Sequence, residues 1–233
     1  MTDSHKAIES LAIFGGTFDP IHHGHLRSAI EIKEALGVDE LALLPSHRPP
    51  LRGQPGADSA QRLAMVSAAV AGEPGLAVDG RELLRETPSY TVDTLRELRA
   101  ERGTEVSITV IMGSDAFNQL QRWRDWPSLF RLANVLVLHR AAHPLAMDAQ
   151  VANFVVDRKL GSASALTAHS AGGFYDTGLI QLPISATDIR QRLASGRSIR
   201  YLSLIPISEP TRPLYISYAA LCFTTKPLHP LYS

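Results

Sequence analysis

This 233-residue sequence predicts an α/β protein built on a mostly parallel sheet with helices on both faces. Three observations carry that prediction. Short apolar runs of strand length alternate with segments of helical periodicity. The runs close on glycine, proline or polar residues suited to loops. The motifs that carry chemistry fall just after those runs, where the ligand crevice of such a sheet lies.

Leu11-Ala12-Ile13-Phe14 reads as a buried strand ended by two glycines. Across residues 24–36, Leu26, Ala29, Ile30 and Leu36 recur at helical spacing, and Gly37 supplies a stop. Leu41-Ala42-Leu43-Leu44 is a second strand, residues 45–55 a Pro-rich loop, and residues 59–70 a helix that Ser59 should cap. Val92, Leu95 and Leu98 mark one face of a further helix. Residues 106–112 form the strongest strand, closed by Gly113 and Ser114, and Val135-Leu136-Val137-Leu138 forms another, with His139-Arg140 after it. Ser185 followed by Asp188 satisfies a capping-box pattern, so a helix should start at Ser185 and end near Gly196.

The length suits one catalytic domain, alone or with a small appendage. Lysine plus arginine numbers 23 and so does aspartate plus glutamate, so no chain-wide field draws the protein to nucleic acid or membrane. Anion binding must rest on local clusters. The single cysteine, Cys222, excludes an internal disulfide framework and fits a reducing compartment, and residues 1–10 are polar rather than signal-like. A cytoplasmic protein without a membrane span is the expectation.

Glycines 15 and 16 let a backbone pass close to a ligand, and the helix that follows offers free amides and a positive dipole end to phosphate. His22 and His25, separated by x-Gly, sit at that helix start, where both rings can point toward one phosphate. Imidazole donates hydrogen bonds to phosphoryl oxygens and, when protonated, offsets developing charge. Neither a Gly-x-x-x-x-Gly-Lys-Ser/Thr loop nor a Gly-x-Gly-x-x-Gly fingerprint is present. A zinc site among the three histidines would lack both a His-Glu-x-x-His pattern and a nearby cysteine.

The whole string Gly15-Gly16-Thr17-Phe18-Asp19-Pro20-Ile21-His22-His23-Gly24-His25 resembles the signature of the nucleotidyltransferase superfamily that shares a His-x-Gly-His ATP site. Further segments resemble bacterial nicotinate-nucleotide adenylyltransferases. They are residues 45–50 with His47 and Arg48, Gln61-Arg62, Pro88-Ser89-Tyr90-Thr91, Ile111-Met112-Gly113-Ser114-Asp115 with Trp123 and Trp126, and Ile184-Ser185-Ala186-Thr187-Asp188-Ile189-Arg190. The resemblance implies a Rossmann-like nucleotidyltransferase fold and adenylyl transfer from ATP to nicotinate mononucleotide, giving deamido-NAD and pyrophosphate in NAD biosynthesis.

It implies an ATP site made of Gly15, Gly16, Thr17, Phe18, His22, His25, Gly113, Asp115, Ser185, Thr187 and Arg190, with His22, His25 and Arg190 catalytic. Arg48, Tyr90, Thr91 and Trp123 would take the mononucleotide, and Trp126 would be packing. Mg²⁺ should arrive with ATP, held by phosphates and water rather than a protein cage. Each of these residues also has a plain structural reading. Ser185 is explained by capping alone, Asp115 by the dipole of a helix start, and Trp123 by the core. A sister enzyme using nicotinamide mononucleotide or phosphopantetheine stays open, as does a nucleotide-sensing regulator. An aminoacyl-tRNA ligase would need a Lys-Met-Ser-Lys-Ser element that is missing.

Residues 1–202 are read as the transferase domain. Residues 203–233 hold Pro206, Pro210, Pro213, Pro227 and Pro230, through which no regular helix can run, and are read as an atypical, non-native continuation.

Overall fold

The computed structural model describes residues 9–51, 53–140 and 143–203. The segment read as atypical, from residue 204 on, lies outside the described residues and takes Cys222 with it. Six strands, β1 (Ser10–Gly16), β2 (Glu40–Pro45), β3 (Leu76–Val78), β4 (Ser107–Gly113), β5 (Asn134–Arg140) and β6 (Phe174–Gln181), pair in the order β3-β2-β1-β4-β5-β6. Every pairing is parallel, as alternation of strands and helices demands.

The helices are α1 (His23–Leu36), α2 (Ser59–Val70), α3 (Thr91–Arg102), α4 (Ser114–Phe117), α5 (Trp126–Leu132), α6 (Ala149–Val155) and α7 (Ala186–Ala194). Because side chains alternate across a strand, β1 feeds two cores. Leu11 and Ile13 join Val92, Leu95 and Leu98 of α3, Leu129 and Phe130 of α5, and Val151 and Val155 of α6 on one face. Ala12 and Phe14 join Ala29, Ile32 and Leu36 of α1 with Val66 and Val70 of α2 on the other. Burial of each large aliphatic side chain contributes about 2 kcal/mol, so the sheet is held from both sides, as the sequence predicted. Among the described residues, no helix is long and apolar enough to cross a membrane.

Several boundaries differ from the sequence expectation. Gly15 and Gly16 are not loop residues: they finish β1 and pair with Leu44 and Pro45, because β2 runs long enough to keep its neighbour in register. His139 and Arg140 likewise lie inside β5, paired with Ile180 and Gln181. Asp58, not Ser59, caps α2. Its carboxylate accepts from the Gln61 amide at 2.8 Å while the Gln61 side chain accepts from the Asp58 amide at 3.0 Å. The Ser59 hydroxyl instead meets His47 Nδ1 at 2.7 Å. Two strands escaped the pattern reading. β3 has only three residues, and β6 carries Asp176, Thr177 and Gly178 with no apolar run. Both lie at sheet edges, where burial does not impose a continuous apolar stretch.

Candidate active site

The strand order reverses direction between β1 and β4, so the C-terminal ends of these two strands flank the crevice of the sheet. Gly15 and Gly16 stand on one side, and Gly113 with Asp115 on the other. The two β1 glycines differ in what surrounds them. A Cβ on Gly16 would lie 2.8 Å from Phe18 Cζ, so the protein itself excludes a side chain there. A Cβ on Gly15 would meet nothing within 4 Å, so packing does not require a glycine there.

From Gly16 the chain turns through Phe18 in the left-handed region (φ 49°) and a cis Asp19-Pro20 bond into α1. His22 stands at the N-cap of α1 and no side chain caps that helix, although α1 has 14 residues and a full dipole. The His22 and His25 rings stack with centroids 3.7 Å apart and planes 20° apart. The intervening glycine leaves the pair room: a Cβ on Gly24 would press on His22 Nδ1 at 3.0 Å and lie 3.4 Å from the Leu182 carbonyl. The edge of the Phe18 ring braces His25 at 5.0 Å between centroids. The His23 amide donates to the Leu202 carbonyl at 3.1 Å.

His22 is 1% exposed, and its Nδ1 is buried with no hydrogen-bond partner among the described residues. Burial, helped by the charges of Arg140 and His23, holds its pKa down at about 4 against an ordinary 6.5. At neutral pH the ring is therefore an uncharged donor. Because the unfolded chain binds the proton more readily, the His22 contribution to stability is complete above about pH 6.5 and falls by roughly 3 kcal/mol as pH drops toward 4. Denaturant midpoints measured between pH 7 and 4 should show this slope in the wild type and lose most of it in His22→Asn.

Arg190, on α7, reaches back to the same loop. Its Nη1 donates to the Asp19 carbonyl at 2.5 Å and lies 3.6 Å from the Asp19 carboxylate, and Nη2 donates to Thr187 Oγ1 at 3.4 Å. The buried Asp19 carboxylate in turn accepts the amides of Gly56 (2.7 Å) and Ala57 (3.1 Å). Ser185 caps α7, accepting from the Asp188 amide at 3.1 Å. Its structural reading is thus realised. Asp115 receives Arg140 Nη1 at 2.9 Å, while Arg140 Nε donates to Gln181 at 2.7 Å. The sequence marks His139-Arg140 as a motif at a strand end, a charge closing an otherwise apolar run, but gives Arg140 no partner; the structure supplies Asp115 and Gln181.

The expected mononucleotide residues form a second group. Ser89 Oγ accepts the His47 amide at 2.9 Å and the Arg48 amide at 3.4 Å, which pins the loop after β2 to the residues leading into α3. The Arg48 side chain is exposed, with Nη1 3.4 Å from the Glu86 carbonyl. Tyr90 is the N-cap of α3 and Thr91 its first residue, and again no side chain caps the helix. Arg124 lies 4.8 Å over the Tyr90 ring. Trp123 and Tyr90 are partly buried against the same core, whereas Trp126 is 6% exposed and packs edge-on to Phe130 and Phe154. Side chains cap α2, α6 and α7, while α1, α3 and the shorter α4 and α5 begin without a side-chain cap.

A Rossmann-like sheet with an uncapped, histidine-bearing helix start at its switch point defines a nucleotidyltransferase. The model of the cytidylyltransferase-like family matches residues 13–192. A Marinobacter nauticus protein named "Probable nicotinate-nucleotide adenylyltransferase" is 50% identical over 200 residues, 86% of this chain and 93% of its own. One of the same name from Pseudomonas putida (strain W619) is 44% identical over 197 residues, 84% and 90% of the two chains. The chain belongs to the nicotinate-nucleotide adenylyltransferase family. The fold matches that of a Plasmodium falciparum nicotinic acid mononucleotide adenylyltransferase complexed with NaAD, with TM-score 0.65 at 16% identity over 91% of this chain and 95% of the other.

Proposed function

We propose that the protein transfers the adenylyl group of ATP to nicotinate mononucleotide, releasing deamido-NAD and pyrophosphate. The observation that carries the reading is the pair of stacked imidazoles on the uncapped start of α1, beside the bare backbone at Gly15. A phosphate oxygen of the mononucleotide attacks the α-phosphorus, the new P–O bond forms, and the bond to the β-phosphate oxygen breaks as pyrophosphate leaves. Such transfer needs in-line placement and charge stabilisation and no protein nucleophile.

In this reading His22, uncharged at neutral pH, and His25 donate to the α- and β-phosphates as charge develops there. Arg190 and Thr187 hold the departing pyrophosphate, with Ser185 at the start of the same helix. Gly15, Gly16, Thr17 and Phe18 shape the nucleotide bed, and Gly113 and Asp115 face the adenosine, Asp115 oriented by its ion pair with Arg140. The uncapped amides at Tyr90 and Thr91 receive the nicotinate carboxylate, which favours the acid over the amide at a positive dipole end. Trp123 faces the pyridine ring and Arg48 the mononucleotide phosphate.

Mg²⁺ is proposed to ride on the triphosphate. Mg²⁺ on nucleotides usually keeps several waters and binds through phosphates, so the triphosphate itself supplies its ligands. We also place the transferase in residues 1–202, supported by the family match ending at 192. Ser203 Oγ donates to the Ile21 carbonyl at 3.0 Å, so the cut is best made after it. Removal of 204–233 is expected to leave the rate unchanged, and collapse of the truncated fold would sink that assignment. The cytoplasm is the proposed compartment, supported by the single cysteine.

The test is incubation with ATP, Mg²⁺ and nicotinate mononucleotide, nicotinamide mononucleotide or phosphopantetheine in parallel, with products resolved by chromatography. Deamido-NAD should dominate. ATP binding without any dinucleotide product would identify a nucleotide sensor instead.

A further inference from the structure

Arg62 is 1% exposed, on the second turn of a capped helix, and no role in the chemistry falls to it. All five of its N–H groups are used. Nε donates to the Ala57 carbonyl (3.2 Å), Nη1 to the carbonyls of Thr17 (2.8 Å) and Ser46 (2.6 Å), and Nη2 to the His47 carbonyl (3.3 Å) and Ser59 Oγ (3.1 Å). None of the five acceptors is a carboxylate, so the desolvation cost of burying the guanidinium is offset by neutral acceptors and, at longer range, by the charges of Asp19 and Asp58. Burial also pulls its pKa below the ordinary arginine value.

The acceptors come from three separate segments. Thr17 belongs to the loop between β1 and α1, Ser46 and His47 to the loop after β2, and Ala57 and Ser59 to the start of α2. The Ala57 amide continues the chain of bonds to the Asp19 carboxylate, and Asp19 takes Arg190. One rigid planar fork therefore sets the spacing between the loop assigned to ATP and the loop assigned to the mononucleotide.

We propose that Arg62 is a positioning residue that aligns the two substrates for in-line transfer by tying the loop at Thr17 to the loop at Ser46-His47. This rests on the adenylyl-transfer reading above and deepens it. Lysine at this position keeps the charge and offers a single ammonium, which cannot reach three segments at fixed angles. The loops should then drift by about 1 Å, enough to cost an in-line reaction on the order of 100-fold while each substrate still binds its own loop.

The experiment compares wild type, Arg62→Lys and Arg62→Ala. Wild-type deamido-NAD formation is measured first, and its absence would overturn the functional reading whatever the variants do. Folding is read by thermal melting, binding of ATP and of nicotinate mononucleotide by separate titrations, turnover by product formation, and the tie itself by amide hydrogen exchange. For Arg62→Lys we expect a folded protein, little change in either dissociation constant, and turnover down about 100-fold. Faster exchange should appear at residues 17–19, 46–48 and 56–57 together, and not in β4. Millimolar guanidinium should restore part of the turnover of Arg62→Ala. Turnover near wild type in Arg62→Lys, or a loss accounted for by weaker binding or by the unfolded fraction, would overturn the proposal. Failure of both variants to fold would also overturn it, leaving Arg62 a folding device only.

Discussion

Replacing His25 with alanine should lower pyrophosphate release by about 100- to 1,000-fold, the usual loss when one preorganised donor to a developing oxyanion is removed. Because the ring is only half-buried, its removal leaves a shallow gap rather than a sealed cavity. Its packing contacts are the stacked His22 ring and the edges of Phe18 and Phe14, centroids 5.0 and 6.3 Å away. Alanine is also the best helix former, and the position lies in the first turn of α1. Stability should therefore change by about 1 kcal/mol or less. The loss should fall on turnover, with the Michaelis constant for nicotinate mononucleotide barely moved, because the lost bond serves the reacting phosphate. An unchanged rate of pyrophosphate release would refute the role given to the histidine pair.

Arg190→Ala should cost about 100-fold in kcat/KM for ATP. Two losses combine. The departing pyrophosphate loses a charged fork, and the Asp19 carbonyl loses the donor that ties α7 to the loop entering α1. Arg190→Lys separates them, since an ammonium keeps the charge and gives up the fork geometry. Recovery of about tenfold in the lysine variant would assign most of the effect to charge. Equal defects in both variants would assign it to the tie between α7 and Asp19. Wild-type kcat/KM for ATP in the alanine variant would remove Arg190 from the reaction.

The architecture was legible because its signals are local. Periodicity in residues 24–36 and 91–102, the apolar runs that became β1, β2, β4 and β5, and the Gly37 stop all arise from burial of one face at a time. The reading failed where a neighbour set the outcome. β1 extends through its glycines because β2 continues beside it, and β3 and β6 form at the edges by pairing, not by their own apolar content. The α2 cap passed to Asp58, because the Ser59 hydroxyl is engaged by His47 Nδ1 and Arg62 Nη2.

The candidate site divides in the same way. Residues 15–25 announce themselves as one contiguous string, and Ser185 and Arg190 lie within one short motif. By itself the sequence determined the chemical alphabet of the site: paired imidazoles at a helix start, a glycine between them, and an arginine one turn into another helix. Only the tertiary structure decided the electrostatics and the spacing. It buried His22 beside Arg140 so that the ring is neutral, paired Asp115 with Arg140 across two strands, left α1 and α3 uncapped, and placed Arg62 among loops from three segments. The reason is physical. Periodicity and motifs report contacts a few residues apart along the chain, whereas pKa values and hydrogen-bond networks depend on distances that exist only once the strands have paired.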